Sequence, residues 1–138
     1  MPTKTVLSCS CKARASTARA AHGIDCLPGC VELGDFDATS TTVALWPCGE
    51  QAHLPADALR ATFDRYWTFF QNRRDDPSFA WVDYTPYENR VIGSFVRLGQ
   101  RERALALADF LMQGRRPAQT QAGQGWNQWP EVVYRDGQ

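Results

Sequence analysis

The chain has 138 residues, of which 43% are hydrophobic and 12% aromatic, and its fifteen basic and fifteen acidic side chains give a formal net charge of zero. This length and composition indicate at most one folded domain and exclude a largely disordered chain. A neutral chain has no electrostatic attraction to nucleic acid or to an anionic membrane, and no apolar run approaches the roughly 20 residues of a membrane span. We therefore expect neither a nucleic-acid partner nor a membrane.

The N-terminal segment differs from the rest of the chain. All sixteen aromatic residues lie at or after Phe36, and the first 24 residues hold four basic residues and no acidic one. Their Ser, Thr and Ala content is typical of a transit peptide, although a frayed or misassigned N-terminus accounts for it equally simply and is the reading we favour. We predict that residues 1–30 are unstructured or misassigned and that residues 31–138 hold the helical domain.

Five cysteines occur in the chain, and four of them precede residue 31. Their C-x-C and C-x-x-x-C spacings leave a thiolate metal site open, but no partner histidine or ordered scaffold accompanies them. The odd number argues against a fully paired disulfide framework. We predict no metal and no cofactor.

Two helices are predicted in the first half of the domain. The first runs from Thr39 to about Trp46 and is ended by Pro47. The second runs from about Pro55 to Asn72, because its apolar residues recur at helical spacing and form one stripe: Leu59, Phe63, Tyr66, Trp67 and Phe70.

Two further helices follow. The sequence Thr-Pro-Tyr-Glu at 85–88 is typical of a helix start, with Thr85 as cap and Glu88 completing a capping box. This helix extends to about Leu98, with Tyr87, Val91, Phe95 and Leu98 on one face. The next helix spans about 101–113, and its predicted apolar stripe is Ala104, Leu105, Ala108, Leu111 and Met112.

The spacing of these helices indicates a repeat. Helices starting near Ser40 and near Pro86 are about 46 residues apart, and each is followed by an amphipathic helix. The predicted fold class is therefore all-α, with two consecutive helical hairpins. Six hairpins at this spacing would need at least about 280 residues, so we expect an incomplete piece of a ring of helices.

In a closed ring of helical hairpins, the loops that precede the inner helices emerge at one end. Here these loops are 31–39, 73–85 and 114–138, and they hold most of the conspicuous acidic and aromatic side chains. Paired carboxylates serve acid–base cleavage of glycosidic bonds, and flat aromatic faces suit a sugar ring. Simpler roles compete, since Asp37 is an equally good helix N-cap and Glu88 a better capping-box partner than a catalyst.

Four segments resemble bacterial proteins of the six-hairpin glycosidase superfamily, which have an (α/α)6 toroid. They are Glu-Leu-Gly-Asp-Phe-Asp-Ala-Thr-Ser-Thr-Thr at 32–42, Tyr-Thr-Pro-Tyr-Glu at 84–88, Arg-Leu-Gly-Gln-Arg-Glu-Arg-Ala-Leu at 97–105 and Trp-Asn-Gln-Trp-Pro-Glu at 126–131. The resemblance implies a partial toroid over residues 31–138 and a carbohydrate substrate. By position it makes Asp35, Asp37 and Glu131 the candidate catalytic carboxylates. The candidate substrate-binding residues beside them are Tyr84, Tyr87, Trp126, Asn127 and Trp129.

Three functional hypotheses follow. The first is a fragment of a glycoside hydrolase-like catalytic domain, which hydrolyses a glycosidic bond in the parent and is inactive in isolation. The second is a non-enzymatic helical-repeat module that binds another protein, although its long acidic and aromatic loops are unlike the short connections of such repeats. The third is a chain without a function of its own, from a truncated or frameshifted gene. The apolar flanks of an open toroid segment also predict self-association. The sequence gives no localisation.

Overall fold

The computed structural model describes residues 13, 15–76, 78–79, 85–113, 116–117 and 127–128, and every structural statement below refers to them. This part of the chain is mainly α-helical, which confirms the all-α class. Its helices are α1 (15–22), α2 (Ala38–Leu45), α3 (Ala56–Asp75), α4 (Thr85–Arg97) and α5 (Arg101–Gln113). A 3-10 turn at Gln51–His53 precedes α3, and the short strands β1 (Arg116–Pro117) and β2 (Asn127–Gln128) pair antiparallel.

The chain divides into two compact units, Met1–Thr68 and Phe69–Gln138. In the first unit, α2 buries residues at the i, i+3, i+4, i+7 spacing of one helical face: Ala38, Thr41, Thr42 and Leu45. The first part of α3 contributes Leu59, Phe63 and Tyr66, all buried as predicted. These side chains supply most of the apolar core of this unit.

The expectation of an unstructured segment does not hold for residues 15–30. Residues 15–22 form α1, in which Ala18 is fully buried, and Cys26 and Leu27 are buried as well. Burial of these small and aliphatic side chains anchors the segment, although it contains no aromatic residue. Residues 1–12 and 14 lie outside the described residues, and a domain boundary at residue 30 stays a prediction.

In the second unit, α4 and α5 form a hairpin of closely contacting helices. The hairpin turns at Gly99, whose φ of 72° lies in the left-handed region that glycine adopts without strain. Its buried face consists of Glu88, Val91, Ser94, Phe95, Ala104, Leu107 and Leu111. This confirms the second predicted hairpin within one residue at each helix end.

The predicted faces of α4 and α5 are partly wrong. Tyr87 is 49% exposed, and Leu105 and Met112 are 51% and 45% exposed. Because α5 carries leucine at both 105 and 107, its apolar pattern fits two helix rotations, and the structure adopts the one that buries Leu107.

The first predicted hairpin is not a closely packed pair. Of the helices that the structure describes, α2 and α3 meet at isolated positions at most, unlike α4 and α5. With eight residues, α2 has about two turns, so it offers α3 only a short contact surface. No helix among the described residues combines the length and the apolar character needed to cross a membrane.

Candidate carboxylate site

The loop formed by residues 28–37, called the 28–37 loop below, carries two of the three predicted carboxylates. It folds back on itself through an antiparallel bridge between Pro28 and Phe36. The Gly29 amide donates to the Asp35 carbonyl oxygen at 3.0 Å, and the Cys30 amide donates to Asp35 Oδ1 at 2.7 Å. These bonds hold the Asp35 side chain in one place on the loop.

Helix α3 anchors this loop within the first unit. The Leu27 amide donates to Thr62 Oγ1 at 2.8 Å, and the same hydroxyl donates to the Ala58 carbonyl oxygen within α3. The guanidinium of Arg65, three residues further along α3, lies 4.7 Å from the ring centroid of Phe36. Leu27, directly before the loop, and Phe36, near its end, are therefore both attached to α3.

Asp35 and Asp37 both lie close to the Cα atom of Gly29. A Cβ placed on Gly29 would be 2.8 Å from Asp35 Oδ2 and 2.9 Å from the Asp37 Cβ. Such distances are shorter than ordinary carbon contacts, so this position requires glycine. The structure thus brings the two aspartates together as neighbours on one side of the loop.

Asp37 is the N-cap of α2, which confirms the structural role weighed for it from the sequence. Its Oδ1 accepts hydrogen bonds from the Ser40 amide at 2.9 Å and from Thr39 Oγ1 at 2.7 Å, and its Oδ2 accepts from Ser40 Oγ. Burial of the half-buried Asp37 raises its pKa, but the hydrogen bonds from Ser40 and Thr39 outweigh it, so the pKa lies below its ordinary value of 3.8. Asp37 is therefore an ionised acceptor at neutral pH, unsuited to donate a proton as a general acid.

Of the other predicted site residues, the structure describes only Tyr87 and the backbone of Asn127. Tyr87 lies on α4, half exposed, with the Arg90 guanidinium 4.6 Å from its ring centroid. The backbone of Asn127 pairs with that of Pro117 in the β1–β2 ribbon. The remaining predictions fall outside the described residues: Tyr84, Trp126, Trp129 and Glu131. The convergence of three loops on one rim stays a prediction.

The second unit contains a buried ion pair that the sequence patterns did not indicate. Arg73 on α3 donates through Nη1 and Nη2 to the two carboxylate oxygens of Glu88 on α4, at 3.0 and 2.7 Å, and both side chains are almost fully buried. The Arg73 guanidinium also lies 5.2 Å from the ring centroid of Phe110 on α5. This ion pair connects three helices and has a structural role. The capping box predicted for Glu88 also involves the Thr85 side chain, which lies outside the described residues.

Metal-ligating side chains do not gather in this part of the protein. Among the described residues, no group of three or more His, Cys, Asp or Glu side chains is arranged to hold a metal ion. Cys26, Cys30 and Cys48 are free thiols. Cys9 and Cys11, the other members of the thiolate pattern, lie outside the described residues.

No protein-family model, curated protein or solved structure matches the sequence.

Proposed function

We propose that this chain is part of a glycoside hydrolase-like catalytic domain, and that its 28–37 loop supplies carboxylates to a carbohydrate cleft. The observation that carries the proposal is the placement of Asp35 and Asp37 together beside Gly29, in a loop attached to α3. Carboxylates held by amide donors are suited to bind sugar hydroxyl groups and to stabilise the positive charge of an oxocarbenium-like ring in the transition state.

The two aspartates have different tasks in this proposal. Asp35 is exposed, and its carboxylate is oriented by the Cys30 amide, so it is the group that contacts the sugar. Asp37 is occupied by Thr39 and Ser40, so it positions the start of α2 and adds negative charge behind Asp35.

A second catalytic group must come from elsewhere. Hydrolysis needs a general acid and a nucleophile or base on opposite sides of the glycosidic bond. Because Asp35 and Asp37 both contact the space beside Gly29, they occupy the same side and do not form that pair. Glu131 is our candidate for the opposite group, and we expect the isolated chain to show little or no turnover.

For the architecture, we propose that the helices are a section of an (α/α)6 toroid. The α4–α5 hairpin supplies one of its six repeats, and α2 and α3 are assigned to a second, although they meet at isolated positions at most. The segment 97–105, which contributes to the resemblance, includes the Gly99 turn on which this hairpin depends.

The alternative is a non-enzymatic helical-repeat module that binds another protein. Its support is the exposure of large apolar side chains on the α4–α5 hairpin, where Val96 is 61% and Leu105 51% exposed. A repeat module uses such a face for a partner, whereas a toroid covers it with the next hairpin.

The test is calorimetric titration of the full chain with trisaccharides of glucose, mannose, xylose and galactose. The diagnostic variant is Asp35→Asn, which keeps an oxygen for the Cys30 amide but removes the charge. The matched control is Asp109→Asn, an exposed carboxylate on α5. Circular dichroism verifies that all three proteins are folded.

We expect saturable binding of at least one trisaccharide, weakened at least about tenfold by Asp35→Asn and unchanged by Asp109→Asn. Binding that is equally strong in the Asp35→Asn variant would remove the carbohydrate role from the 28–37 loop. Absence of binding by the folded wild-type chain would favour the repeat module. A companion Trp126→Ala/Trp129→Ala variant tests the second predicted sugar-binding segment.

A further inference from the structure

The 28–37 loop has a second attachment within the first unit, to helix α1. The last residue of α1 is His22, and its Nε2 atom lies 3.0 Å from the Val31 carbonyl oxygen. Because a carbonyl oxygen only accepts hydrogen bonds, the His22 Nε2 atom carries the hydrogen and donates it. This bond joins the end of a helix to a loop that follows it by only a few residues.

The ring of His22 also lies against Gly34. A Cβ placed on Gly34 would be 2.4 Å from His22 Cγ and 2.7 Å from His22 Cδ2. Such distances are far shorter than ordinary carbon contacts, so the imidazole occupies the space that a side chain at position 34 would need. The φ of 62° at Gly34 also lies in the left-handed region that favours glycine. His22 therefore contacts the loop twice, by a hydrogen bond and by packing of its ring.

Both contacts fall within one tight turn. The Gly34 amide donates to the Cys30 carbonyl oxygen at 3.0 Å, which closes the turn formed by residues 30–34. At the start of this turn, the Cys30 amide donates at 2.7 Å to Oδ1 of Asp35, the residue directly after its end. The carboxylate of Asp35 is therefore oriented by a backbone group of the same turn that His22 holds.

Helix α1 is itself fixed within the first unit. Its Ala18 is fully buried, and Nη2 of Arg19 lies 3.6 Å from Oδ2 of Asp57 on α3. This ion pair is exposed and therefore weak, but it joins α1 to the helix that also receives Leu27 and Phe36. Each of α1, α3 and the 28–37 loop thus contacts the other two.

We propose that His22 is a positioning residue of the carbohydrate site, which holds the 30–34 turn so that Asp35 stays oriented for binding. This inference rests on the proposed function and adds α1 to the site, without any contact between His22 and the sugar. When the His22 ring is removed, the turn keeps its own hydrogen bonds but loses its attachment to α1. The bond between the Cys30 amide and Asp35 then opens more often, and Asp35 spends less time in the orientation that binds.

The direct test is the rate of solvent exchange at the Cys30 amide, measured by NMR on the full chain labelled with ¹⁵N. We expect His22→Ala to raise this rate about fivefold, as for the loss of one hydrogen bond. His22→Gln, whose Nε2 group can donate to the same carbonyl oxygen, should stay within about twofold of wild type. Circular dichroism verifies that the variants are folded.

The matched control is His53→Ala, at the other histidine of the chain. Nδ1 of His53 lies 2.8 Å from Oε2 of Glu50, and this pair belongs to the segment before α3 rather than to the 30–34 turn. His53→Ala should therefore leave exchange at the Cys30 amide unchanged. An unchanged rate in His22→Ala, or a rate in His22→Gln as fast as in His22→Ala, would overturn the proposal.

A second substitution disturbs the same contact from the loop. Gly34→Ala places a methyl group against the His22 ring and should raise the exchange rate of the Cys30 amide about as much as His22→Ala does. Gly49→Ala is the matched control, because Gly49 has a similar φ of 69° but nothing within 4 Å of an added Cβ. Since His22→Ala and Gly34→Ala release one contact, the double variant should exchange about as fast as either single variant. Effects that multiply would overturn the proposal.

Sugar binding separates this inference from the proposed function. By calorimetry, trisaccharide binding should weaken about fivefold in His22→Ala and recover in His22→Gln. Faster exchange at the Cys30 amide with unchanged trisaccharide affinity would overturn the positioning role and leave the carbohydrate function standing. Faster exchange in a folded chain that binds no trisaccharide would overturn the proposed function and leave only the attachment of the loop to α1.

Discussion

The buried pair of Arg73 and Glu88 makes a prediction that the sequence alone does not. Replacing Glu88 by glutamine keeps the size of the side chain and an oxygen that accepts one hydrogen bond, but it removes the negative charge that pairs with the buried guanidinium. Removing one partner of a buried, doubly hydrogen-bonded ion pair costs about 3–5 kcal/mol. We expect Glu88→Gln to lower the free energy of unfolding by about 3 kcal/mol, because the retained hydrogen bond places it at the low end of that range.

This substitution distinguishes the ion pair from the capping box predicted for Glu88. Glutamine serves in a capping box as well as glutamate does, so a pure capping role would leave stability within about 0.5 kcal/mol of wild type. The assay is urea unfolding at pH 7 followed by circular dichroism, with Glu102→Gln as the surface control. A loss below about 1 kcal/mol would refute the buried pair.

The double variant Arg73→Met/Glu88→Leu completes the test. It replaces both charges by apolar side chains of similar volume, which is often neutral for a buried pair. We expect it to be more stable than Glu88→Gln. Its loss of stability should also be smaller, by about 2 kcal/mol or more, than the summed losses of the single variants Arg73→Met and Glu88→Leu. Additive losses at the two positions would contradict the account of α3, α4 and α5 as joined by this pair.

Three further predictions concern single positions. Asp37→Ala should lower the free energy of unfolding by about 1 kcal/mol at pH 7. Since the folded pKa of Asp37 lies below 3.8, this difference between wild type and variant is present above about pH 4 and disappears as the pH falls through the folded pKa. Urea unfolding at several pH values would show it. Gly29→Ala should cost about 1–3 kcal/mol through contact with its two aspartate neighbours, whereas Gly93→Ala, with nothing within 4 Å, should raise stability by about 0.5–1 kcal/mol. Because Leu105 is 51% exposed, we expect the wild-type chain to associate with increasing concentration and Leu105→Gln to associate less, as sedimentation velocity would show. An unchanged profile would exclude the α5 surface as the cause of association.

Helices α2 to α5 were predictable because their signals are local, whereas α1 was not predicted. Proline, glycine and the apolar spacing placed α2, α4 and α5 within one residue of their observed ends, and the stripe of α3 was found with Phe63 and Phe70 buried. The rotation of α5 was not predictable, because leucines at 105 and 107 fit two faces equally well and tertiary contacts decide between them.

The long-range contacts lay beyond what sequence patterns indicate. Arg73 and Arg74 are adjacent and chemically identical, yet Arg73 is buried against Glu88 while Arg74 binds Asp75 at the surface. The attachment of Leu27 to Thr62 spans 35 residues and has no periodic signal. By contrast, the N-cap role of Asp37 was available from its position directly before a helix, followed by Thr39 and Ser40.

The central claim is that a carbohydrate contacts the 28–37 loop, and amide chemical-shift mapping tests it most directly. The full chain, labelled with ¹⁵N, is titrated with trisaccharides of glucose, mannose, xylose and galactose. The account predicts that the largest shifts belong to amides of residues 28–41, including the Cys30 amide that donates to Asp35. Shifts confined to α4 and α5, or no shift at all in a well-dispersed spectrum, would contradict it.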